Sequence, residues 1–320
     1  MIKRTISIAA AGAALALGLT ACGSGGSDGS SAGGSGASGG DIKIGMSVST
    51  LNNPYFVQLR KGAEEEAKKE GVALTVTDAQ NDASQQVNQI QNFAGQNMKA
   101  IVINPVDSDA AGPAVKAAER SKIPVIAADR GVNGGTVAQT VASDNVEGGR
   151  LAAQELAKEM GEKGKVVVLQ GVPGTSAARD RGQGFTEGIK AFPNIQVIAQ
   201  QPADFDRTKG LDVMTNLLQS NPGITGVFAQ NDEMALGAVK ALGAKAGKEV
   251  KVIGFDGTPD GLKAVQDGTL SATVAQQPAL LGQQAVQGAV KAAKGEKVEA
   301  TVAVPVKIVN KDNVAEFAGS

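Results

Sequence analysis

Short apolar runs alternate with amphipathic segments along the chain from Asp41 onward. The runs are apolar at nearly every position, which predicts strands buried on both faces of a parallel sheet. The segments between them have the period of helices that cover such a sheet. About ten strands are more than one compact doubly wound unit holds, so the pattern predicts an α/β fold with two parallel-sheet lobes. The predicted strands are residues 42–48, 73–77, 100–103, 124–128, 137–142, 165–170, 195–199, 226–229, 250–255 and 272–275, and the predicted helices include 58–70, 84–96, 149–160, 207–218, 233–242 and 281–294.

The stretch 49–56 lies between the first predicted strand and the first predicted helix. Pro54 fits a first helical turn, because its ring presets φ and its missing N–H needs no partner there. Asn53 then follows the carboxyl end of a strand, which is the edge where small ligands bind in open parallel sheets. The chain has eight Phe, one Tyr and no Trp, so the adjacent rings of Tyr55 and Phe56 favour a ligand with apolar faces. The alternative is that both rings anchor the first helix in the core.

Polar side chains follow several later strands, and they include Asn104, Asp129, Asn231 and Asp256. Each of them has a simple alternative role, because Asn and Asp are common N-caps of the next helix. An arginine cannot cap a helix N-terminus, however, and Arg130 stands at one of these strand ends. The ends of many strands thus present polar groups to one edge, which favours a shared site.

The charged candidates balance one another. Asp129 and Asp256 are acidic, whereas Arg130 and Arg181 are basic, so a pocket that contains all four would be roughly neutral. Such a pocket suits an uncharged polyol better than a phosphate or a carboxylate, because vicinal hydroxyls both donate and accept hydrogen bonds. Phe205 would add a third ring, and rings pack against the C–H faces of a sugar.

Composition excludes several classes of function. The 320 residues carry a formal net charge of −1 and include no histidine. A near-neutral chain without a basic, aromatic-rich run gives no reason to expect nucleic-acid binding. Without histidine, Ser-His-Asp and Cys-His catalysis and imidazole zinc sites are impossible, and no acidic loop has calcium-site spacing. The glycine-rich run 181–188 has the wrong spacing for a dinucleotide-binding loop. From these absences together we expect neither a bound metal nor a cofactor.

We assign Asp232 and Glu233 to helix capping and the helix dipole.

The first residues have the features of an export signal. Lys3 and Arg4 precede an apolar segment at 6–19 that is too short to span a bilayer comfortably. The segment leads to Leu-Thr-Ala-Cys-Gly, which contains the sole cysteine, Cys22. This sequence resembles the bacterial lipobox, in which the signal is cut before a cysteine that becomes lipid-modified. The alternative is a chance free cysteine after an ordinary signal.

Residues 23–40 are almost wholly Gly, Ser and Ala, which predicts a flexible tether that reaches roughly 20–25 Å.

Six different motifs lie at or near the predicted strand ends: STLNNP at 49–54, INPVDSDA at 103–110, GTSAAR at 174–179, QPADFDR at 201–207, FAQNDEMA at 228–235 and GFDGTPDG at 254–261. Together they resemble the sugar-binding proteins of the type I periplasmic binding protein family, in particular its ribose-binding members. The resemblance extends from about Ile42 to Asn310.

This resemblance implies two doubly wound lobes joined by a three-stranded hinge, with crossings near Ser143-Asp144, near Gln276-Gln277 and near Pro305. The implied domains are a signal peptide at 1–22, a tether at 23–40, an N-terminal lobe from 41–143 plus 277–305, and a C-terminal lobe from 144–276 plus 306–320.

The resemblance also implies a site between the lobes. Its members are the rings of Tyr55, Phe56 and Phe205 and the polar side chains of Asn53, Asp129, Arg130, Arg181, Asn231, Asp256 and Gln276. Asn104 and Phe255 are expected on the neighbouring wall. The family commonly has Phe where this chain has Tyr55, and the added hydroxyl needs a hydrogen-bond partner.

The implied function is that of a monomeric substrate-binding lipoprotein. It would bind D-ribose or a similar monosaccharide, serve an ABC-type permease, and be anchored through Cys22 to the outer face of the cell membrane. Allose, xylose or a furanose-like signalling molecule are alternative ligands. A sugar-sensing transcriptional regulator is a second class, but the N-terminus lacks its DNA-binding helices. A sugar hydrolase that uses Asp129 and Asp256 is a third class, which we disfavour because neighbouring arginines should keep both carboxylates ionised.

Overall fold

The computed structural model describes residues 42–317. The predicted signal, Cys22 and the 23–40 tether lie outside these residues. Nine α-helices and twelve strands occur in the described part. The helices are α1 Pro54–Glu70, α2 Ala83–Gly95, α3 Gly112–Arg120, α4 Asn145–Glu159, α5 Ser176–Ile189, α6 Arg207–Ser220, α7 Asp232–Leu242, α8 Pro259–Gln266 and α9 Pro278–Ala293. The strands are β1 Lys43–Val48, β2 Ala73–Asp78, β3 Ala100–Ile103, β4 Val125–Ala128, β5 Gln139–Ser143, β6 Gly164–Gln170, β7 Ile195–Pro202, β8 Gly226–Ala229, β9 Lys251–Asp256, β10 Ala272–Ala275, β11 Thr301–Val304 and β12 Lys307–Asn310.

The strands form two six-stranded sheets, so the predicted α/β fold with two parallel-sheet lobes is confirmed. The first sheet has the order β11-β5-β4-β3-β1-β2, and the second has the order β12-β10-β9-β8-β6-β7. All neighbours pair in parallel except β12, which runs antiparallel to β10. The chain passes between the sheets three times, after Ser143, after Ala275 and after Val304.

Each sheet has a hydrophobic core on both faces, because successive residues of a strand point to opposite sides. In β3, Ala100 and Val102 pack with α1 and α9, whereas Ile101 and Ile103 pack with α2 and α3. The second sheet divides in the same way between α4 and α5 on one face and α6, α7 and α8 on the other. This double covering explains why the strands are apolar at nearly every position.

Two short strands near the end of the chain were not predicted. β11 and β12 have four residues each and are separated by Pro305, so neither gives a clear apolar run. β11 forms one edge of the first sheet, and β12 forms one edge of the second.

No helix within residues 42–317 combines the length and the apolarity that a membrane span requires.

Two glycines bring α5 against α4. A Cβ at Gly149 would overlap the backbone carbonyl of Arg181, and a Cβ at Gly184 would overlap that of Val146. The two helices therefore pack backbone to backbone, and this contact fixes the start of α5 close to the ends of the second sheet's strands. The glycine-rich run 181–188 lies inside α5, as expected from its helical pattern.

Candidate ligand-binding site

A cavity of about 250 Å³ lies between the two lobes, at the carboxyl ends of the strands. Nine of the ten predicted site residues line it, and Ala177 at the start of α5 is the member that was not predicted. Gln276 does not line it but contacts two residues that do. The lining residues are Asn53, Tyr55, Phe56, Asp129, Arg130, Ala177, Arg181, Phe205, Asn231 and Asp256.

Aromatic rings reach the cavity from both lobes. Tyr55 and Phe56, from the first turn of α1, contact each other edge to face with centroids 5.2 Å apart. They also pack in the core of the first lobe, as the alternative interpretation of these rings expects. Phe205 comes from the second lobe, where its backbone is left-handed (φ 59°). Its ring lies against Gly171, where any side chain would overlap it.

The guanidinium of Arg130 lies between rings of the two lobes. Its Cζ atom is 5.1 Å from the centroid of Phe56 and 5.4 Å from that of Phe205. Nη1 donates to the carbonyl of Pro105 at 2.9 Å, which fixes the plane of the group. Nε is buried and has no hydrogen-bond partner among residues 42–317, so it offers an unused donor. Burial lowers the pKa of Arg130 from its usual value.

Arg181 is held from three sides in the second lobe. Nε donates to Asn145 Oδ1 at 2.8 Å, and Nη1 donates to the carbonyl of Gln230 at 2.7 Å. Its Cζ atom lies 3.8 Å from the ring centroid of Phe255. Phe255 was expected on the cavity wall, and this is wrong, because the ring lies beneath the guanidinium instead. Asn145 was not among the predicted residues, because its partner Arg181 lies 36 residues further along the chain and no local pattern connects the two.

The two aspartates are not helix caps. Asp129 and Asp256 both have positive φ angles, of 68° and 128°, and both are buried beside the cavity. Asp129 Oδ1 accepts the hydroxyl of Tyr55 at 2.7 Å, which provides the partner that this hydroxyl requires. Asp256 Oδ1 lies 2.7 Å from Gln276 Nε2 and 3.6 Å from Arg181 Nη1.

Burial raises the pKa of Asp256 well above its usual value, and the nearby carboxylates Asp232 and Asp129 act in the same direction. Arg181 acts in the opposite direction but does not outweigh burial. The expectation that neighbouring arginines control the ionisation of both aspartates therefore omitted, for Asp256, the larger effect of burial on its pKa.

The asparagines orient the loops around the cavity. Asn53 is the N-cap of α1 and accepts the N–H of Tyr55 at 2.9 Å. Asn231 is the N-cap of α7, and its Nδ2 donates to the carbonyl of Phe205 at 3.2 Å. Asn104 was expected on the cavity wall, but it lies behind Asp129, to which its Nδ2 donates at 3.3 Å. Each amide therefore holds a residue that lines the cavity.

Asp232 does more than interact with a helix dipole. It is the first residue of α7, and its carboxylate is fully buried. Oδ2 accepts the N–H of Thr258 at 2.8 Å, and Oδ1 accepts the hydroxyl of Thr273 at 2.7 Å. Burial raises the pKa of Asp232 to about 6. Asp232 therefore ties the loop that follows Asp256 to the second sheet.

Three hydrogen bonds join the lobes beside the cavity. Ser108 donates its N–H to the carbonyl of Gly174 at 3.2 Å, and Ser176 donates its N–H to Ser108 Oγ at 3.2 Å. Gly131 donates its N–H to Ser176 Oγ at 2.9 Å. These contacts connect loops of the first sheet to loops of the second, so the structure has the lobes closed over the cavity. Within residues 42–317, no group of three or more His, Cys, Asp or Glu side chains is placed so that it could hold a metal ion.

Comparison with known proteins identifies the family to which this fold belongs. The family model described as periplasmic binding protein domain matches residues 44–297. A ribose import binding protein of Salmonella typhimurium is 52% identical over 84% of this chain and 90% of its own length. A ribose import binding protein of Bacillus subtilis is 50% identical over 84% of this chain and 87% of its own length. The crystal structure of an ABC transporter solute binding protein from Bacillus halodurans with bound myo-inositol has a TM-score of 0.83 at 35% identity, covering 88% of this chain and 99% of its own. The chain belongs to the periplasmic binding protein family.

Proposed function

We propose that this protein binds a small neutral monosaccharide, D-ribose, and presents it to an ABC-type sugar importer. The observation that carries the proposal is the cavity itself. Arg130, Arg181, Asp129 and Asp256 line it with two guanidinium groups and two carboxyl groups, and aromatic rings face it from both lobes. A sugar hydroxyl can donate one hydrogen bond and accept others, so it can accept from a guanidinium group and donate to a carboxyl group. Relatives about half identical over most of the chain are ribose import binding proteins.

The rings and the charged groups would act on different parts of the sugar. Phe56 and Phe205 would contact its C–H faces, since each ring belongs to a different lobe. Free donors would meet hydroxyl oxygens at the rim, and Arg130 Nε is such a donor. A sugar that lacks one hydroxyl would leave a buried group unpaired, which costs about 1–3 kcal/mol. Selectivity would follow from this cost.

Binding would be coupled to closing of the lobes. A sugar that contacts residues of both lobes favours the closed arrangement by its contacts in that state alone. The closed, loaded protein would then be the form that the importer receives. The proposed partner is an ABC-type permease, and the proposed location is the outer face of the cell membrane, through lipidation of Cys22 and the tether at 23–40. An extracytoplasmic site of action agrees with membership of the periplasmic binding protein family.

We propose a binding protein rather than an enzyme. Asp129 is engaged by Tyr55 and Asn104, and Asp256 is engaged by Gln276. A hydrolase would need both carboxyl groups free to act on a glycosidic bond and on water.

Calorimetric titration of the purified protein with D-ribose tests the proposal, with allose, xylose and arabinose titrated in parallel. Arg181→Ala should bind at least 100-fold more weakly, because it removes a charged donor and leaves Asp256 without its cation. The matched control is Arg179→Ala, on the same helix but about half exposed, and it should bind as the wild type does. Absence of heat with every sugar would refute the proposal, and tight binding of another sugar would reassign the ligand.

A further inference from the structure

A chain of three polar contacts lies behind the cavity and joins the two lobes through the hinge. Asp129 Oδ1 is 2.7 Å from Tyr55 Oη, and Tyr55 Oη is 3.1 Å from Gln276 Oε1. Gln276 Nε2 is 2.7 Å from Asp256 Oδ1. All four side chains are buried, with at most 8% of any residue exposed. We refer to Asp129, Tyr55, Gln276 and Asp256 as the carboxyl chain.

The carboxyl chain has too few hydrogens when both aspartates are ionised. Tyr55 supplies one hydrogen, and it keeps this hydrogen because burial and Asp129 raise its pKa well above the usual value. The amide of Gln276 supplies hydrogens at only one of its two ends, so it serves either Asp256 or Tyr55. Two of the three contacts are then filled, whichever way the amide points. The third contact brings two oxygens together with no hydrogen between them unless one carboxyl group is protonated.

The surrounding charges place this proton on Asp256. Five charged residues form a buried cluster here, and their formal charges sum to −1 when all are ionised: Arg130, Arg181, Asp129, Asp232 and Asp256. Asp129 receives the amide of Asn104 at 3.3 Å as well as the Tyr55 hydroxyl, and Arg130 Nε is 3.6 Å away. Asp256 has Arg181 at 3.6 Å but also feels the carboxylate of Asp232. One proton on Asp256 makes the cluster neutral.

A protonated Asp256 completes the carboxyl chain in one direction. This requires the side-chain amide of Gln276 to be turned by 180°, so that Oε1 faces Asp256 and Nε2 faces Tyr55. The Asp256 hydroxyl then donates to Gln276 Oε1, Gln276 Nε2 donates to Tyr55 Oη, and Tyr55 donates to Asp129. Every contact then has one hydrogen, and the distances of 2.7 and 3.1 Å fit these donors. The burial that raises the pKa of Asp256 well above its usual value acts in the same direction.

We propose that Asp256 takes up a proton from solvent when the lobes close on the sugar, so that sugar binding and proton binding are linked. This inference rests on the proposed function. The linkage follows from the position of the carboxyl chain, whose members belong to the first lobe, the hinge crossing and the second lobe. Separation of the lobes breaks the chain and admits water to Asp256, which then ionises as an ordinary carboxyl group does.

Calorimetric titration with D-ribose at pH 7 to 8, in phosphate and in Tris, measures the proton uptake. The heats in the two buffers differ in proportion to the protons exchanged. We expect a net uptake of protons on binding in the wild type, of at most one proton per sugar, and an affinity that falls as pH rises, by at most about tenfold per pH unit. Tyr55→Phe should abolish most of the uptake, because the Gln276–Asp256 contact that remains is filled by the amide hydrogen. Asp256→Asn should abolish it too, because the new amide supplies the missing hydrogen.

Sugar binding without proton uptake in the wild type would overturn the inference and leave the proposed function intact. Uptake that persists in Tyr55→Phe would also overturn it, because burial alone would then explain the proton. Uptake that persists in Asp256→Asn would overturn the assignment to Asp256. Tyr55→Phe keeps the test decisive if Asp256→Asn binds too weakly. No heat with any sugar of the panel would refute the proposed function and this inference together.

Discussion

Substitution of Gly174 by alanine should weaken sugar binding by obstructing closure. Gly174 lies in the loop after β6 of the second lobe, and a Cβ there would overlap Asp107 Oδ2 of the first lobe. Asp107 does not move freely, because its Oδ1 accepts the N–H groups of Asp109 at 2.9 Å and Ala110 at 2.8 Å. The substitution would also disturb the hydrogen bond from the Ser108 N–H to the carbonyl of Gly174. The open form would not contain this overlap.

The size of the effect follows from these contacts. To close, the variant must turn the Asp107 carboxylate away from its two backbone donors, or leave the Ser108 contact unmade. The carboxylate is partly exposed, so the loss should be about 1–2 kcal/mol. That corresponds to affinity weakened roughly 5- to 30-fold. A separate cost of about 1–2 kcal/mol arises because φ at Gly174 is +89°, but it affects folding and not the closing step.

Gly223 provides a matched control for that strain. It also has a left-handed backbone (φ +82°) and lies in the second lobe, but no atom stands within 4 Å of the position that an alanine methyl group would take there. Urea unfolding should show similar losses of stability for Gly174→Ala and Gly223→Ala, whereas calorimetry should show weaker ribose binding only for Gly174→Ala. Asp107→Ala in the Gly174→Ala background should restore part of the affinity. Equal affinities in the two single variants would refute closure at this contact.

Three further predictions concern stacking, pH and helix packing. Phe205→Leu keeps apolar bulk but removes the ring, so titration should show roughly tenfold weaker sugar binding, and an unchanged affinity would exclude stacking. Asp232→Asn should change the pH dependence of stability, because Asp232 has a folded pKa of about 6, above the unfolded value near 3.9. The folded wild type binds the extra proton at low pH, so it should lose about 2 kcal/mol of stability relative to the variant as pH rises from 4 to 7. Urea unfolding at both pH values checks this, and parallel losses in the two proteins would contradict it. Gly184→Ala should lower the melting temperature by separating α5 from α4, at a cost of about 1–3 kcal/mol, whereas Gly95→Ala, which has open space around it, should be neutral or stabilising.

Most of the fold was predictable from the sequence because its pattern is local. In β3 and β4 every residue is buried, and such runs are recognisable without knowledge of their neighbours. The edge strand β11 was missed because its burial alternates weakly and its pairing partner, β5, lies some 160 residues earlier. Strands of this kind are defined by the partner that they meet and not by their own composition.

The candidate site was predictable in its membership but not in its chemistry. Polar residues after parallel strands converge by topology, so Asn53, Asp129 and Asp256 could be placed at one edge from the sequence pattern. The raised pKa of Asp256 could not be predicted, since it depends on burial and on Asp232, which lies at the start of α7. The partners of the Tyr55 hydroxyl were equally inaccessible, because Gln276 is 221 residues away.

The last part of the chain completes the first lobe, and this sets an order in which the protein can be finished. α9 packs along α1, and Gln287 Nε2 on α9 donates to Glu66 on α1 at 2.8 Å across 221 residues of sequence. A ribosome must therefore release nearly the whole polypeptide before α1 gains its neighbour and β5 gains its outer strand. Until then the first half exposes the apolar surface that α9 and β11 later cover, so we expect a chain that ends before α9 to aggregate and not to fold its first lobe.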